Sequence, residues 1–231
     1  MFALLMIIAI GCNKPDEPSN NGNNNDSNGG SSLNGHEYVD LGLPSGTLWA
    51  TCNVGATKPE EYGDYFSWGE IEPKGTYNWS SYKYCNGNNN TLTKYCNNSI
   101  YGNNGFTDNL TTLLFEDDAA TVNWGNGWHM PTKEQWQELS DNINSTWTTL
   151  NGINGRLFTA NNGQSLFLPA GGSHWGGELI GRGFDGDYWS KSLYIDNSRD
   201  AWYFGFSSDI YGIVNYRRDY GPSVRPVTSL H

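Results

Sequence analysis

Residues 187–227 read DYWSKSLYIDNSRDAWYFGFSSDIYGIVNYRRDYGPSVRPV. Trp202, Phe204 and Phe206 stand two apart, so an extended backbone sends them to one side and Tyr203, Gly205 and Ser207 to the other. The apolar positions Trp189, Leu193, Ala201, Trp202, Phe204, Phe206, Val214, Val224 and Val227 read as a fixed frame. Between them lie Tyr, Asp, Ser, Arg, Asn, Gly and Ile in no regular order. Six of the fourteen tyrosines fall here. Tyrosine among small polar residues is the mixture that binding surfaces favour, because its ring gives rigid contact area at low entropy cost. An ordinary half-exposed sheet is the plainer alternative.

Upstream of this segment the chain alternates short strands with turn signals. Arg156–Thr159 and Ser165–Pro169 read as strands, and the glycine-rich stretch from Gly171 to Gly183 reads as a flexible connection. It is not a phosphate loop, because no Gly-Lys-Ser/Thr follows and no helix opens there. The clearest helix starts at Thr132, where Thr132 and Gln135 form a capping box. Trp136, Leu139 and Ile143 then recur at helical spacing and give it one buried face, with an end at Asn142 to Asn144. Glu116–Trp124 predicts a shorter helix with Glu116, Asp117 and Asp118 at its positive end. The same three carboxylates could ligate calcium, although their spacing matches no calcium loop.

Nearer the N-terminus, Tyr38–Val54 predicts two strands around a Leu-Pro-Ser-Gly turn. In the second, Leu48, Ala50, Cys52 and Val54 share one side, which makes Cys52 a small buried hydrophobe rather than a nucleophile. Cys85 and Cys96 flank an Asn/Gly-rich loop and could close it with a disulfide in an oxidising compartment; two reduced thiols are the alternative. No metal site is read from the sequence, since there is no Cys-x-x-Cys and no histidine near these cysteines.

Composition bounds the function. A formal net charge of −11 repels phosphate backbones and argues against nucleic acid as a partner. Ten Trp, fourteen Tyr and twenty-nine Gly point to one strand- and loop-rich domain held together by aromatics. Residues 1–11 are apolar and too short to span a bilayer. They resemble a bacterial lipoprotein signal peptide, which makes Cys12 the lipidated residue. Residues 12–33 form a flexible Asn/Gly/Ser tether that holds the domain about 25 Å from its anchor. The domain occupies residues 34–231. The charges just after Cys12 resemble those that send lipoproteins of Bacteroides-type bacteria to the outer face of the cell. The expected location is therefore the outer membrane, lipid-anchored and facing the exterior.

Several motifs carry a family resemblance. They are GHEYVDLGLPSGTLWATCNVGA (35–56), FSWGE (66–70), EDDAA (116–120), WGNGWHMPT (124–132) and SVRPV (223–227). Together they resemble the Fibrobacter succinogenes major paralogous domain of gut Bacteroidetes lipoproteins. The resemblance covers nearly all of residues 34–227. It implies an α+β, C-type-lectin-like fold related to the formylglycine-generating enzymes, with two short helices and paired N- and C-terminal strands. Those strands would be Tyr38–Leu41 and Ser223–Val227. The enzymatic relatives need two late cysteines for copper, and no cysteine follows Cys96. No cofactor and no catalytic residue is expected on this reading. The Glu-Pro-Asn and Gln-Pro-Asp triplets of calcium-dependent sugar-binding lectins are also missing.

A subset of that family, the variable proteins of diversity-generating retroelements, is similar in one further respect. Their C-terminal segment is rewritten at adenines, chiefly in Asn-type codons, which can become Asn, Asp, Tyr, Ser, Gly, Ile, Arg or Pro. From Ser192 to Val227 there is no Lys, Glu, Gln or Met. The resemblance implies a binding face of Tyr194, Asp196, Arg199, Asp200, Tyr203, Gly205, Ser207, Asp209, Ile210, Tyr211, Ile213, Asn215, Tyr216, Arg217, Asp219 and Tyr220. Gly212 and Pro222 are reachable by the same codon changes. The tyrosines would anchor a protein or glycan on another cell, a phage or a host, and the charges would tune specificity. Arg225, inside the closing motif, is expected to pair with an internal carboxylate. An enzyme is the rival reading, but there is no Gly-x-Ser-x-Gly and no His-Glu-x-x-His, and His36, His129, His174 and His231 are far apart in sequence. A structural surface subunit is the third, and residues 13–33 offer it no apolar donor strand.

Overall fold

The computed structural model describes residues 31–229. The apolar N-terminal segment, Cys12, nearly all of the tether and His231 lie outside them. The described residues are mostly β, with two α-helices and several antiparallel sheets, an α+β arrangement.

The first sheet runs β1 (Ser32–Leu33), β2 (His36–Asp40), β3 (Thr47–Ala50) and β12 (Val227–Ser229), in that spatial order. Pairing therefore begins at Ser32, inside the stretch assigned to the tether. Leu33 packs on the core, and its carbonyl accepts from the Trp128 indole at 3.0 Å. The β2–β3 turn closes with Gly46 N–H donating to the Leu43 carbonyl at 2.9 Å, and Gly46 has φ +72°, which glycine adopts without a Cβ clash. The C-terminal strand does not pair with residues 38–41 as the resemblance implied. It takes the other edge of β3, with Val227 opposite Trp49 and Ser229 opposite Thr47. The reason is that β1 already occupies the free edge of β2. All four residues of β3 are buried, so this strand needs a neighbour on each edge.

Helix α1 (Ala119–Trp124) is capped by Asp118, whose carboxylate accepts from the amides of Ala120 and Thr121. It accepts from Met130 N–H as well, so one buried carboxylate ties α1 to the segment entering the next helix. Asp117 is spent elsewhere, on Lys94, Tyr84 and Tyr95, and Glu116 is exposed. Helix α2 (Lys133–Asn142) has the capping box formed in both directions, and Trp136, Leu139 and Ile143 are buried as their spacing requires.

Strands β4 (Asn144–Leu150), β5 (Ile153–Thr159) and β6 (Ser165–Pro169) form a meander. β4 was not anticipated. Its turn is Asn151-Gly152, with φ +48° and +86°, the Asn-Gly hairpin signal. The glycine-rich segment is not a flexible connection. Its residues form a hairpin of β7 (Ser173–Trp175) and β8 (Glu178–Ile180), turning at Gly176 and Gly177. It is held down by His174, stacked 4.9 Å from Tyr77 and bonded through its backbone to Gly221.

The last sheet is β9 (Gly186–Leu193), β10 (Asp200–Phe206) and β11 (Tyr211–Arg217), in the order β11-β10-β9. It lies between two hydrophobic cores. Tyr188, Phe204 and Phe206 join Trp49, Trp136 and Phe158 on the α2 side. Trp189, Leu193 and Ala201 join Trp68, Tyr82, Tyr95 and Trp128 on the other. Trp136 stacks on Phe204 at 4.8 Å, 6° from parallel, and its indole donates to the Trp189 carbonyl at 3.2 Å.

Residues 221–228 are buried without a break. Arg225 does not meet a carboxylate. Its guanidinium donates to Asn53 Oδ1 and to the carbonyls of Ala50, Thr51 and Phe167. Burial pulls its pKa down to about 10, with the Tyr188 hydroxyl acting in the opposite sense. Cys85 and Cys96 are free thiols rather than a disulfide. The register sets Cys85 opposite Leu92, and the two thiols donate instead to the carbonyls of Trp79 and Asn98. Cys52 is fully buried as expected, but it lies in the bend after β3 rather than on the strand, and it is disulfide-bonded rather than a free hydrophobe.

Candidate functional site

The sixteen residues read as a binding face do not form one patch. β11 advances about 20 Å from Tyr211 to Arg217, and the candidates divide between its ends. At the β10–β11 turn lie Ser207, Asp209, Ile210 and Tyr211. There the Tyr211 ring sits 4.5 Å from the Arg156 guanidinium and packs against Phe158 and Phe204. At the other end, Arg199, Asp200, Asn215, Arg217 and Tyr220 come together with residues of the 79–102 segment. Tyr194 stands edge-on to Trp202 at 4.9 Å and Asp196 is exposed in the β9–β10 connection.

Three candidates are turned away from a ligand. Asp219 is fully buried and holds Arg217 through two hydrogen bonds of 3.0 and 2.8 Å. Ile213 packs on the α2-side core. Gly205 lies under the Tyr203 ring, where a Cβ would stand 2.8 Å from a ring carbon. Its lack of a side chain is what lets that ring lie flat. Val214, read as part of the fixed frame, is 46% exposed, because β11 is an edge strand and this side chain points away from α2.

What remains is an aromatic row. Tyr203 and Tyr216 face each other at 4.9 Å, Tyr220 meets Tyr216 at right angles at 4.6 Å, and Trp175 lies 6.0 Å from Tyr220. Beneath it, Asp187 pairs in register with Gly205. The Ser173 hydroxyl lies near both the Asp187 carboxylate and the Tyr216 hydroxyl and favours the charged form of each. Burial pushes Asp187 up to about 6, with Ser173 opposing and the Asp185 charge adding to the rise. Burial likewise lifts Tyr216 to about 12. The Tyr216 hydroxyl therefore stays protonated at neutral pH and can donate a hydrogen bond.

The row continues into a cavity of about 260 Å³ lined by Trp79, Asn89, Asn197, Arg199, Asp200 and Arg217. The Arg217 guanidinium bridges the two, 4.8 Å from the Tyr220 ring and 5.7 Å from that of Trp79. Burial disfavours its charge, but the Asp219 carboxylate outweighs that and holds its pKa above the ordinary value. Asp200 is raised by burial, against hydrogen bonds from Asn215 and Asn197.

Arg218, next in the chain, builds this end. It is fully buried and donates to the Tyr82 hydroxyl and the carbonyls of Tyr95, Ser198 and Lys94. Those bonds carry the 79–102 segment against the hairpin and bring Trp79 and Asn89 to the cavity. Trp79, Asn89, Trp175, Ser173 and Asp187 were missed in the sequence. A tryptophan directly before Gly176-Gly177 was the one readable sign, since a turn there exposes it. A second, larger cavity of about 460 Å³ lies elsewhere, between Glu60, Glu61, Tyr62, Gly63, Tyr65, Ile153 and Arg182.

Compared with protein-family models, with curated proteins and with solved structures, the chain gives no significant match.

Proposed function

We propose that this chain is a ligand-binding module, displayed on the outer surface by a lipid on Cys12 and a flexible tether. Its domain would be C-type-lectin-like, of the Fibrobacter succinogenes major paralogous domain kind. The binding surface would be the row Tyr203, Tyr216, Tyr220 and Trp175 together with the Arg199–Arg217 end of the hairpin. The observation that carries this reading is a segregation within one segment. Of the frame, Trp189, Leu193, Ala201, Phe204, Phe206, Val224 and Val227 are buried, Trp202 is half-buried and Val214 exposed, whereas nearly all positions reachable from Asn-type codons keep some exposure. A retroelement that rewrites only those positions would change the surface and spare the core. Tyrosine gives each version of that surface apolar area with a polar tip.

The test is to sequence this gene and its flanks in several isolates of the source strain. Changes confined to the reachable codons, beside a near-copy of the Ser192–Val227 coding segment and a reverse transcriptase gene, support a diversified binder. Identity across isolates, or changes spread into the buried frame, sinks the diversification. Binding itself is tested with the full chain in mild detergent on arrays of glycans and bacterial surface proteins. Trp175→Ala with Tyr220→Ala should remove the signal without unfolding the domain. No signal on any array, or a signal the double variant leaves intact, overturns the module or its assigned surface.

A further inference from the structure

We infer that the cavity between Trp79 and Arg199 takes a single neutral pyranose unit, and does so without a metal ion. This rests on the binding-module reading and names the ligand for one end of its surface. At about 260 Å³ the cavity is smaller than the roughly 300–1,000 Å³ of sites for drug-sized ligands, which suits one ring.

Its hydrogen-bonding groups are fixed yet incompletely used. The Arg199 guanidinium sits 4.3 Å over the Tyr101 ring, and its Nε donates to Asn197 Oδ1 at 3.0 Å. Its two terminal nitrogens have no hydrogen-bond partner among the described residues, so a flat pair of donors is held ready. Asp200 accepts from Asn197 and Asn215 through Oδ2, at 2.8 and 3.2 Å, which leaves Oδ1 as an acceptor. The Asn89 side chain makes no hydrogen bond among the described residues and supplies both a donor and an acceptor. Vicinal hydroxyls, each donor and acceptor at once, satisfy such a set. Trp79 adds an aromatic wall for the apolar C–H side of a sugar ring.

Charge selects against the alternatives. Arg217 is neutralised by Asp219, and Arg199 is offset by Asp200, so the lining charges cancel. A phosphate or sulfate would need a second unpaired cation, and a basic group would meet Arg199. Asp200 is the one carboxylate lining the cavity, too few for calcium, which takes six to eight oxygen ligands.

The full chain in mild detergent is titrated with D-glucose, D-galactose, D-mannose and N-acetylglucosamine, and with D-glucuronate and D-galacturonate, by ligand-observed NMR. At least one neutral sugar should bind with a millimolar Kd, on the order of −4 kcal/mol. Arg199→Gln, Asp200→Asn and Asn89→Ala should each weaken it by about tenfold. Tyr211→Ala, at the far end of the hairpin, and EDTA should leave it unchanged. Asn89→Ala guards against misfolding, since that side chain holds nothing in place. No neutral sugar binding at tens of millimolar overturns the inference. So does a tenfold preference for the uronates, loss with EDTA, or indifference to all three substitutions. If sugars fail while array binding through Trp175 and Tyr220 persists, the inference falls alone and the module stands.

Discussion

The two sides of the β10–β11 hairpin are built on different principles. Facing α2, Phe204 and Phe206 lie among Trp136, Trp49 and Phe158 with no polar atom to place, and shape decides what fits. Facing away, Tyr203 and Tyr216 also pack on a core, but both are only half-buried, and Tyr216 lies within reach of the Ser173 hydroxyl and the Asp187 charge. One strand pair thus carries a side that tolerates little change beside a side whose aromatic area ends in water. The lesson is that alternation in a strand separates two kinds of constraint, not merely inside from outside.

That contrast is broken most directly from the helix side. Trp136→Ala removes the stack on Phe204 and the bond to Trp189, and should destabilise the domain by about 3–5 kcal/mol in urea unfolding. A loss below about 1 kcal/mol would mean the two sides are not different in kind. Gly205→Ala drives a methyl into the Tyr203 ring and should cost about 1–3 kcal/mol. Because the ring can swing into solvent, the effect should fall short of the Trp136 loss; an equal effect would make the outer side as rigid as the inner.

Asp187 sharpens the comparison through pH. Burial raises its pKa from 3.8 to about 6, so the folded chain binds this proton more tightly than the unfolded chain. The stability it contributes is full below about pH 4 and is lost as pH rises through 6. Asp187→Asn should remove that dependence. Relative to the variant, the native chain should lose roughly 2–2.5 kcal/mol between pH 4 and pH 7. Parallel curves would show that the carboxylate is well solvated. The smallest effect belongs to Tyr220→Ala, which should stay within about 0.5 kcal/mol on stability while removing ligand binding.

Much of this was legible where a local rule acts alone. The capping box at Thr132, the buried side of α2 and the alternation of Trp202, Phe204 and Phe206 follow from spacing. The β4–β5 turn is legible in Asn151-Gly152, but Asn144–Leu150 has little apolar content to mark it as a strand. The partners of Arg218 and Arg225 were not legible. Each guanidinium gives one bond to a side chain, Tyr82 or Asn53, and the other three to backbone carbonyls, and every residue offers a carbonyl, so no residue type marks most of the partners. The cavity was hidden for the same reason, since Trp79 and Asn89 reach Arg199 only through the carbonyls that Arg218 gathers. Which edge of β3 the last strand would take depended on Ser32 and Leu33, two residues with no strand pattern of their own.

The placement of that last strand also governs when the molecule can exist. Val227 pairs with Trp49, and on the way there Pro222 and Val224 accept hydrogen bonds from Phe66 and Val54. A ribosome makes Trp49 long before Val227, and the residue just made is still enclosed by the exit tunnel. The domain must therefore wait, with β3 open along one edge, until Val227 has cleared the ribosome. Long-range closure of this kind is slow, and an open edge invites pairing with other chains. A chain cut before Pro222 would keep nearly all of the core residues and still be permanently unclosed.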